Sequence, residues 1–522
     1  MNNIPQQEES GRRAAAIVTL AGVALGVALA LASRGGYHDD GLTHYLYARW
    51  SWSDARCLLD EWGRPGLTCL LFPVARLGWI ACRIESVVLS GLAAWFAYLT
   101  AVRLGMKRAA LVVPLAYCQP LFLMLSYDTM TETAVAFYLS LAVWLLVTRR
   151  ATASAAVVSL CFVARYETLV LALVWLVALR SVRARWYAYP LIGWAPVLHN
   201  LVGVSVLGRW PFAFVLSNPT LSEYGQGTVL TMFIKSIAAS GPTVALLAVV
   251  GCVLPWRRRG AWVVPAAYGA HLLIQTIIYW QGTHASGGYP RFLVSTAPLA
   301  AVAAVHAINQ LAASVKAARR GVSVALIAVT VVAWIGLEIE PAPQDEAWVL
   351  VLDKVRPVVR LVCALVIGSM LVGYVRAGAR LSLGRRGARG LLTFLALAGA
   401  VAPSAYFVRP HHLPPDASDV ASAVAWIRDN DLAGAHLVTT NIWTSYFLGS
   451  DRNLTAVPNA PPLSNVEPGT VLLWDADYSP GGRFGISIDE LTADESWRLL
   501  WSSRPRADGS VFAHVYRFVP GR

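Results

Sequence analysis

Apolar stretches long enough to cross a bilayer, about 17–25 residues each, recur along the first 406 residues of this chain, beginning with AAAIVTLAGVALGVALALA at 14–32. A bilayer core offers backbone amides no water, so such stretches must fold as helices that satisfy their own hydrogen bonds. At 56% hydrophobic and 14% charged residues, the chain is too apolar for a soluble protein. We expect a polytopic α-helical membrane protein of about 13 spans. They are placed near 14–33, 84–102, 109–126, 132–148, 151–164, 168–180, 187–207, 234–254, 261–280, 293–312, 321–337, 357–375 and 390–406. The first is followed by ASRGG, a poor cleavage site, so it is expected to stay as an anchor.

The formal net charge is +13, which in a soluble protein would suggest nucleic acid. Its placement argues against that partner. The basic residues cluster between apolar blocks: Arg12/Arg13, Arg103/Lys107/Arg108, Arg149/Arg150, Arg180/Arg183/Arg185, Arg257 to Arg259, Lys316/Arg319/Arg320, and the arginines from Arg376 to Arg389. Short basic loops face the cytoplasm. The acids fall on the alternate side, which puts the N-terminus inside and the C-terminus outside. The seven cysteines form no CxxC pair; Cys57 and Cys69, near the outer side, are a candidate disulfide that spacing alone leaves open.

Composition changes near residue 407, at RPHHLPPDASD, beyond which the chain carries thirteen acids against nine bases. SDVASAVAWIRDND reads as a capped amphipathic helix. AHLVTT, TVLLWDA and FAHVYRFV read as strands, and ESWRLLWSS as a second helix. The expected division is a membrane domain over 1–406 and a small extracytoplasmic soluble α/β domain over 407–522.

Polar groups beside membrane spans are expensive and invite a functional reading. The expected outer side collects His38, Asp39, Asp40 and His44 in YHDDGLTHYLYARW; Asp128 and Glu132 in SYDTMTET; Arg165 and Glu167 in ARYET; and His284, Tyr289 and Arg291 in THASGGYPRF. HYLYARWSWSDARCLLDEW has helical spacing with an aromatic face and should lie along the interface, followed by a second short apolar helix in RPGLTCLLFPVARLG. Structural alternatives stand beside each reading. Asp40 could cap the interfacial helix, Asp128 and Glu132 could cap the fourth span, and Arg165 could pair internally with Glu167. Asp475 and Asp477, in LLWDADYS, fit a turn.

The order of these features resembles the GT-C superfamily of integral membrane glycosyltransferases, which includes protein O-mannosyltransferases, lipid A aminoarabinose transferases and ER mannosyltransferases. THASGGYPRFLVSTAPL is similar to a His…Arg-Phe-Leu…Pro segment of some of them, without the acidic residue that precedes the arginine there. The resemblance implies an inverting enzyme that moves a sugar from a polyprenyl-phosphate donor to the hydroxyl of an extracytoplasmic glycan, glycolipid or protein. It implies an aspartate of the first outer loop, Asp39 or Asp40, as general base. Arg291 and Arg165 would contact phosphate, with His38 or His284 assisting. Asp128, Glu132, Glu167 and Tyr289 would line the substrate site. Adjacent carboxylates should push one pKa upward, towards that of a useful base. A bridging divalent cation, Mg²⁺ or Mn²⁺, suits such oxygens, and the sequence leaves metal use open. The rival reading is a transporter or lipid flippase without covalent sugar transfer. It lacks the internal repeat that such proteins often carry.

Overall fold

The computed structural model describes residues 4–212, 226–258, 260–283, 287–313, 407–454, 466–480 and 485–520, with isolated positions at 357, 397 and 401. The spans expected at 321–337, 357–375 and 390–406 lie outside the described residues but for those three positions.

The first ten expected spans all fall on helices or bent helix pairs. Helix α1 (Ile4–Ala32) is followed by α2 (Asp39–Trp50), α3 (Pro65–Ala75), α4 (Trp79–Arg103), α5 (Val112–Tyr117), α6 (Pro120–Ser126), α7 (Thr131–Val147), α8 (Ala151–Ala164), α9 (Leu171–Ser181) and α10 (Trp194–Leu207). Then come α11 (Thr231–Ser240), α12 (Pro242–Val253), α13 (Val263–Gln281) and α14 (Ala297–Ala313). Among the described residues four helices are long and apolar enough to cross a membrane alone, and three bent pairs qualify when joined. The expected single span at 234–254 is broken by 116°. Its break falls at Gly241–Pro242, where a left-handed glycine and a ring without an amide proton stop the helix. Aliphatic side chains of α1 turn outward, Ile17 and Leu20 being 65% and 67% exposed, as a lipid-facing surface requires.

Helix α4 packs against α1 and α7, α7 against α8, and α12 against α14. Close helix approach in a membrane depends on small residues. At Gly251 on α12 an added Cβ would stand 1.9 Å from the carbonyl oxygen of Ala303 on α14.

The interfacial reading of 44–62 is half right. The helix ends at Trp50, and a turn and a short 3-10 segment (Ala55–Leu58) follow. Asp54 and Asp60, whose carboxylates accept nearby backbone N–H groups, stop the helix and cap that turn. Cys57 and Cys69 are free thiols rather than a disulfide.

The chain after 407 carries α15 (Pro415–Asp429), β1 (Leu437–Thr439), α16 (Ile442–Leu448), β2 (Val471–Asp475), α17 (Ile488–Ala493), β3 (Trp497–Ser502) and β4 (Ala513–Phe518). The sheet order is β1-β2-β4-β3, with β1 parallel to β2 and the other pairs antiparallel. Every residue of β2 is buried, as a central strand demands. Helix α15 buries Val420, Ala423, Val424 and Ile427, the one-faced spacing of an amphipathic helix. ESWRLLWSS, expected as a helix, is instead edge strand β3. Its residues are aromatic and aliphatic enough for either state, and pairing with β4 decides it, with Trp497 packed on Phe518 at 5.2 Å.

This sheet unit sits on the end of the bundle that carries α2. The amides of Arg34 and Gly35 donate to the His411 carbonyl, and the His411 amide donates to Ser33 Oγ. Buried Arg83 on α4 donates to the Ser33 and Gly35 carbonyls and stacks on Trp79 at 3.7 Å. Trp50 Nε1 donates to the Ser450 carbonyl and Arg49 Nε to Asp451 Oδ1.

Gly251→Ala should destabilise the protein by about 1–3 kcal/mol through the forced separation of α12 and α14. Gly269→Ala, where an added methyl meets nothing within 4 Å, should be neutral or slightly stabilising. Thermal unfolding of the two variants in detergent checks the contrast.

Candidate active site

Helix α2 starts at the acidic pair, and its cap is His38 rather than Asp40. His38 Nδ1 accepts the Asp40 amide N–H at 3.2 Å. The turn before it is held from behind by Asp128. That carboxylate is fully buried, accepts the amides of Tyr37 (2.6 Å) and Thr129 (2.8 Å), and lies so close to α2 that a Cβ on Gly41 would be 2.6 Å from it. Thr129 Oγ1 donates to the Gly41 carbonyl and accepts from Trp79 Nε1. His44 is also buried against this segment, its Nδ1 2.9 Å from the Thr129 carbonyl.

The two adjacent aspartates have different partners. Asp39 is bound to the sheet unit: Oδ1 accepts from Trp443 Nε1 and Oδ2 from Tyr478 Oη, both at 2.9 Å. Tyr478 keeps its proton, because burial and the Asp39 charge raise its pKa well above the usual phenol value. Asp475 builds the turn that presents Tyr478, accepting the amides of Asp477 (3.1 Å) and Tyr478 (2.8 Å) on Oδ1 and the Thr440 hydroxyl on Oδ2. The turn reading of Asp475 therefore matches its geometry.

Asp40 is bound to the membrane bundle. Its Oδ2 accepts from Arg291 Nη2 at 2.6 Å and lies 3.4 Å from His38 Nδ1. The Asp40 side chain is 42% exposed and Arg291 only 4%. The upward shift expected for one of the pair does not fall on Asp40. Burial pushes the Asp40 carboxyl up, but neighbouring His38 and the Arg291 guanidinium outweigh it and hold it well below the usual range. Arg291 Nε and Nη1 are buried without a hydrogen-bond partner. Tyr289 lies beneath that guanidinium at 4.7 Å and meets the His38 ring edge-on at 5.9 Å.

Behind Arg291 the charges alternate inward. Arg291 Nε is 3.7 Å from Glu132 Oε1. Glu132, fully buried, accepts from Arg165 Nη1 at 2.7 Å, and Arg165 also contacts Glu167 at 2.5 Å. Gln275 Nε2 donates to Glu167 at 3.1 Å. Burial raises the Glu167 pKa, and the Arg165 and Arg64 charges outweigh it, bringing it down to about 2. Arg165 thus has the internal pairing weighed from sequence, extended to Glu132 and Thr131. His284 lies outside the described residues. The structure therefore brings His38, Asp40, Glu132, Arg165, Glu167, Tyr289 and Arg291 into one row, and sets Asp39 above it and Asp128 behind it.

Sequence reasoning missed Trp443, Tyr478, Gln275 and Arg64. The first two lie 404 and 439 positions from Asp39, and no local pattern links them to it. Arg64 holds φ of 58° immediately before a proline, an uncommon state for a non-glycine residue, and places its guanidinium 4.7 Å over the Tyr166 ring.

No protein-family model and no curated protein matches the sequence. Solved structures do. The crystal structure of ArnT from Cupriavidus metallidurans bound to undecaprenyl phosphate matches with a TM-score of 0.53 and 13% identity, over 98% of each chain. The apo crystal structure of the same protein matches with a TM-score of 0.53 and 11% identity, over 95% of this chain and 97% of that one. The fold of this chain is therefore similar to that of ArnT.

As placed here, the acidic pair is not arranged to hold the divalent cation that the sequence leaves open. Both Asp39 oxygens hold donors from the sheet unit, Asp40 holds a guanidinium, and the described residues bring no three His, Cys, Asp or Glu side chains together.

Removing Glu132 would leave two buried guanidiniums short of a counter-charge. Glu132→Ala should cost about 3–5 kcal/mol, read as a lowered unfolding temperature or loss of folded protein. An unchanged melting temperature would show that the row is not electrostatically coupled.

Proposed function

We propose that the protein is a GT-C glycosyltransferase of the bacterial inner membrane, taking a sugar from a polyprenyl-phosphate donor and passing it to a hydroxyl of an extracytoplasmic glycan, glycolipid or protein. The observation that carries this reading is the contact between half-exposed Asp40 and buried Arg291, whose Nε and Nη1 make no hydrogen bond among the described residues. An exposed carboxylate can take a proton. A buried guanidinium with unused donors suits a phosphate.

In the proposed step the acceptor oxygen attacks the anomeric carbon. Its proton passes to an Asp40 carboxylate oxygen as the bond from the anomeric carbon to the phosphate oxygen breaks. The electron pair of that bond leaves on the phosphate, where Arg291 stabilises the charge. The configuration at the anomeric carbon inverts. A phosphate on Arg291 also draws it from Asp40 and weakens the field that keeps Asp40 acidic, so donor binding makes the base stronger. Arg165 supports Glu132 instead of contacting phosphate, since its donors already hold Glu132, Glu167 and Thr131. Asp39 ties the sheet unit over the mouth, and Asp128 positions the turn that carries both aspartates. No step requires a divalent cation.

Transfer is measured in proteoliposomes with a polyprenyl-phosphate-linked sugar donor. Asp40→Asn should lower the rate by at least about 100-fold, the usual scale of general-base loss, with folding unchanged. Asp39→Asn should retain most of the chemistry. Full activity in Asp40→Asn, or movement of the donor across the membrane without covalent transfer, contradicts the reading.

Activity needs the ionised carboxylate, so the acid limb of kcat/KM should lie below about pH 4, the ordinary aspartate value. Arg291→Gln removes one cause of the depression and should move that limb to higher pH. Transfer should also survive chelation of divalent cations by EDTA.

A further inference from the structure

The transfer site occupies one end of the bundle. The other end carries a cavity of a different kind. Helix α4 begins beside Gly41, at Trp79, and its 25 residues reach about 37 Å away at the usual helical rise. There, the turn after α4, the connection between α12 and α13, and the end of α14 enclose about 340 Å³, within the size range of small-ligand sites.

Four basic residues line it, Lys107, Arg108, Arg257 and Arg258, and no acid does. Arg258 is fixed by a bond from Nη1 to the Arg103 carbonyl at 2.6 Å, which occupies one of its five N–H donors. Lys107 and Arg257 form no ion pair among the described residues. The wall between them is built rather than incidental. His306, 8% exposed, stacks on Trp256 at 4.0 Å, and Trp256 is itself fixed by a bond from Nε1 to the Gly251 carbonyl. His306 Nε2 is buried and has no hydrogen-bond partner. A buried imidazole nitrogen without a partner costs free energy unless a ligand or water meets it.

We propose that this cavity binds the phosphate headgroup of an anionic phospholipid from the leaflet at this end of the bundle, the cytoplasmic one by the distribution of basic loops. Lys107, Arg257 and Arg258 hold the phosphate oxygens, and His306 Nε2 meets the headgroup. Leu104 and Met106, which also line the cavity, face the glycerol and ester region. The position favours a lipid over a soluble phosphate, because the cavity lies at the ends of membrane-spanning helices, where headgroups are concentrated. The site is separate from the transfer chemistry and holds whether or not that reading stands.

The test is thermal unfolding of the full-length protein in neutral detergent, titrated with phosphatidylglycerol, phosphatidylcholine or glycerol 3-phosphate. Phosphatidylglycerol should raise the unfolding temperature in a saturable way, as ligands of the native state do, and phosphatidylcholine should not. The double variant Lys107→Gln/Arg257→Gln, whose side chains are exposed and leave the fold intact, should bind phosphatidylglycerol at least tenfold more weakly. His306→Phe keeps the stack on Trp256 and deletes Nε2, and should also weaken binding. An equal response to phosphatidylcholine, or a wild-type response in the double variant, overturns the proposal. A saturable response to glycerol 3-phosphate that matches that to phosphatidylglycerol assigns the cavity to a soluble phosphate and overturns the lipid.

Discussion

The contact between Asp40 and Arg291 organises this end of the molecule. A guanidinium that is 4% exposed is costly to bury without nearby anions. It has Asp40 on one side and Glu132 on the other, and Glu132 in turn requires Arg165, which requires Glu167. The row runs from half-exposed Asp40 through Arg291 and fully buried Glu132 to Arg165 and Glu167, which keep only slight exposure. It draws its members from α2, the start of α7, the turn between α8 and α9, and the 3-10 segment Pro290–Thr296 ahead of α14. Four separate stretches of chain are thus fixed to one another by charges that none could bury alone.

The sheet unit completes the same end. Asp39 carries the contact, receiving Trp443 and Tyr478 while its neighbour faces the bundle. Helix geometry makes this division natural, since adjacent residues on a helix point about 100° apart. One dipeptide therefore serves two roles, securing the unit above with Asp39 and presenting a half-exposed carboxylate to Arg291 below with Asp40. Asp128 makes the division rigid by holding the turn from behind, where Gly41 gives it room.

Much of this was legible in the sequence because membrane proteins are constrained by the bilayer. Apolar length and rare polar residues located ten helical or bent-helical segments and singled out the acidic pair, Glu132, Arg165, Glu167 and Arg291 as neighbours. What was illegible depends on tertiary pairing. ESWRLLWSS is compatible with helix or strand until β4 lies beside it. The difference between Asp39 and Asp40 depends on Trp443 and Tyr478, which only the folded chain brings near. That the upward shift expected for one of the pair does not fall on Asp40 has the same cause. Adjacent carboxylates repel, but the arginine that faces one of them decides the outcome.

The account rests most directly on Arg291 as the group that receives the lipid phosphate. Binding of a polyprenyl phosphate to the purified protein, followed by native mass spectrometry over a concentration series, measures it without any acceptor. The account predicts that Arg291→Gln binds at least tenfold more weakly than the wild type, the loss of one charge-assisted contact worth about 1.5–3 kcal/mol, while Arg165→Gln that remains folded binds nearly as well. Equal binding by the wild type and Arg291→Gln would contradict it.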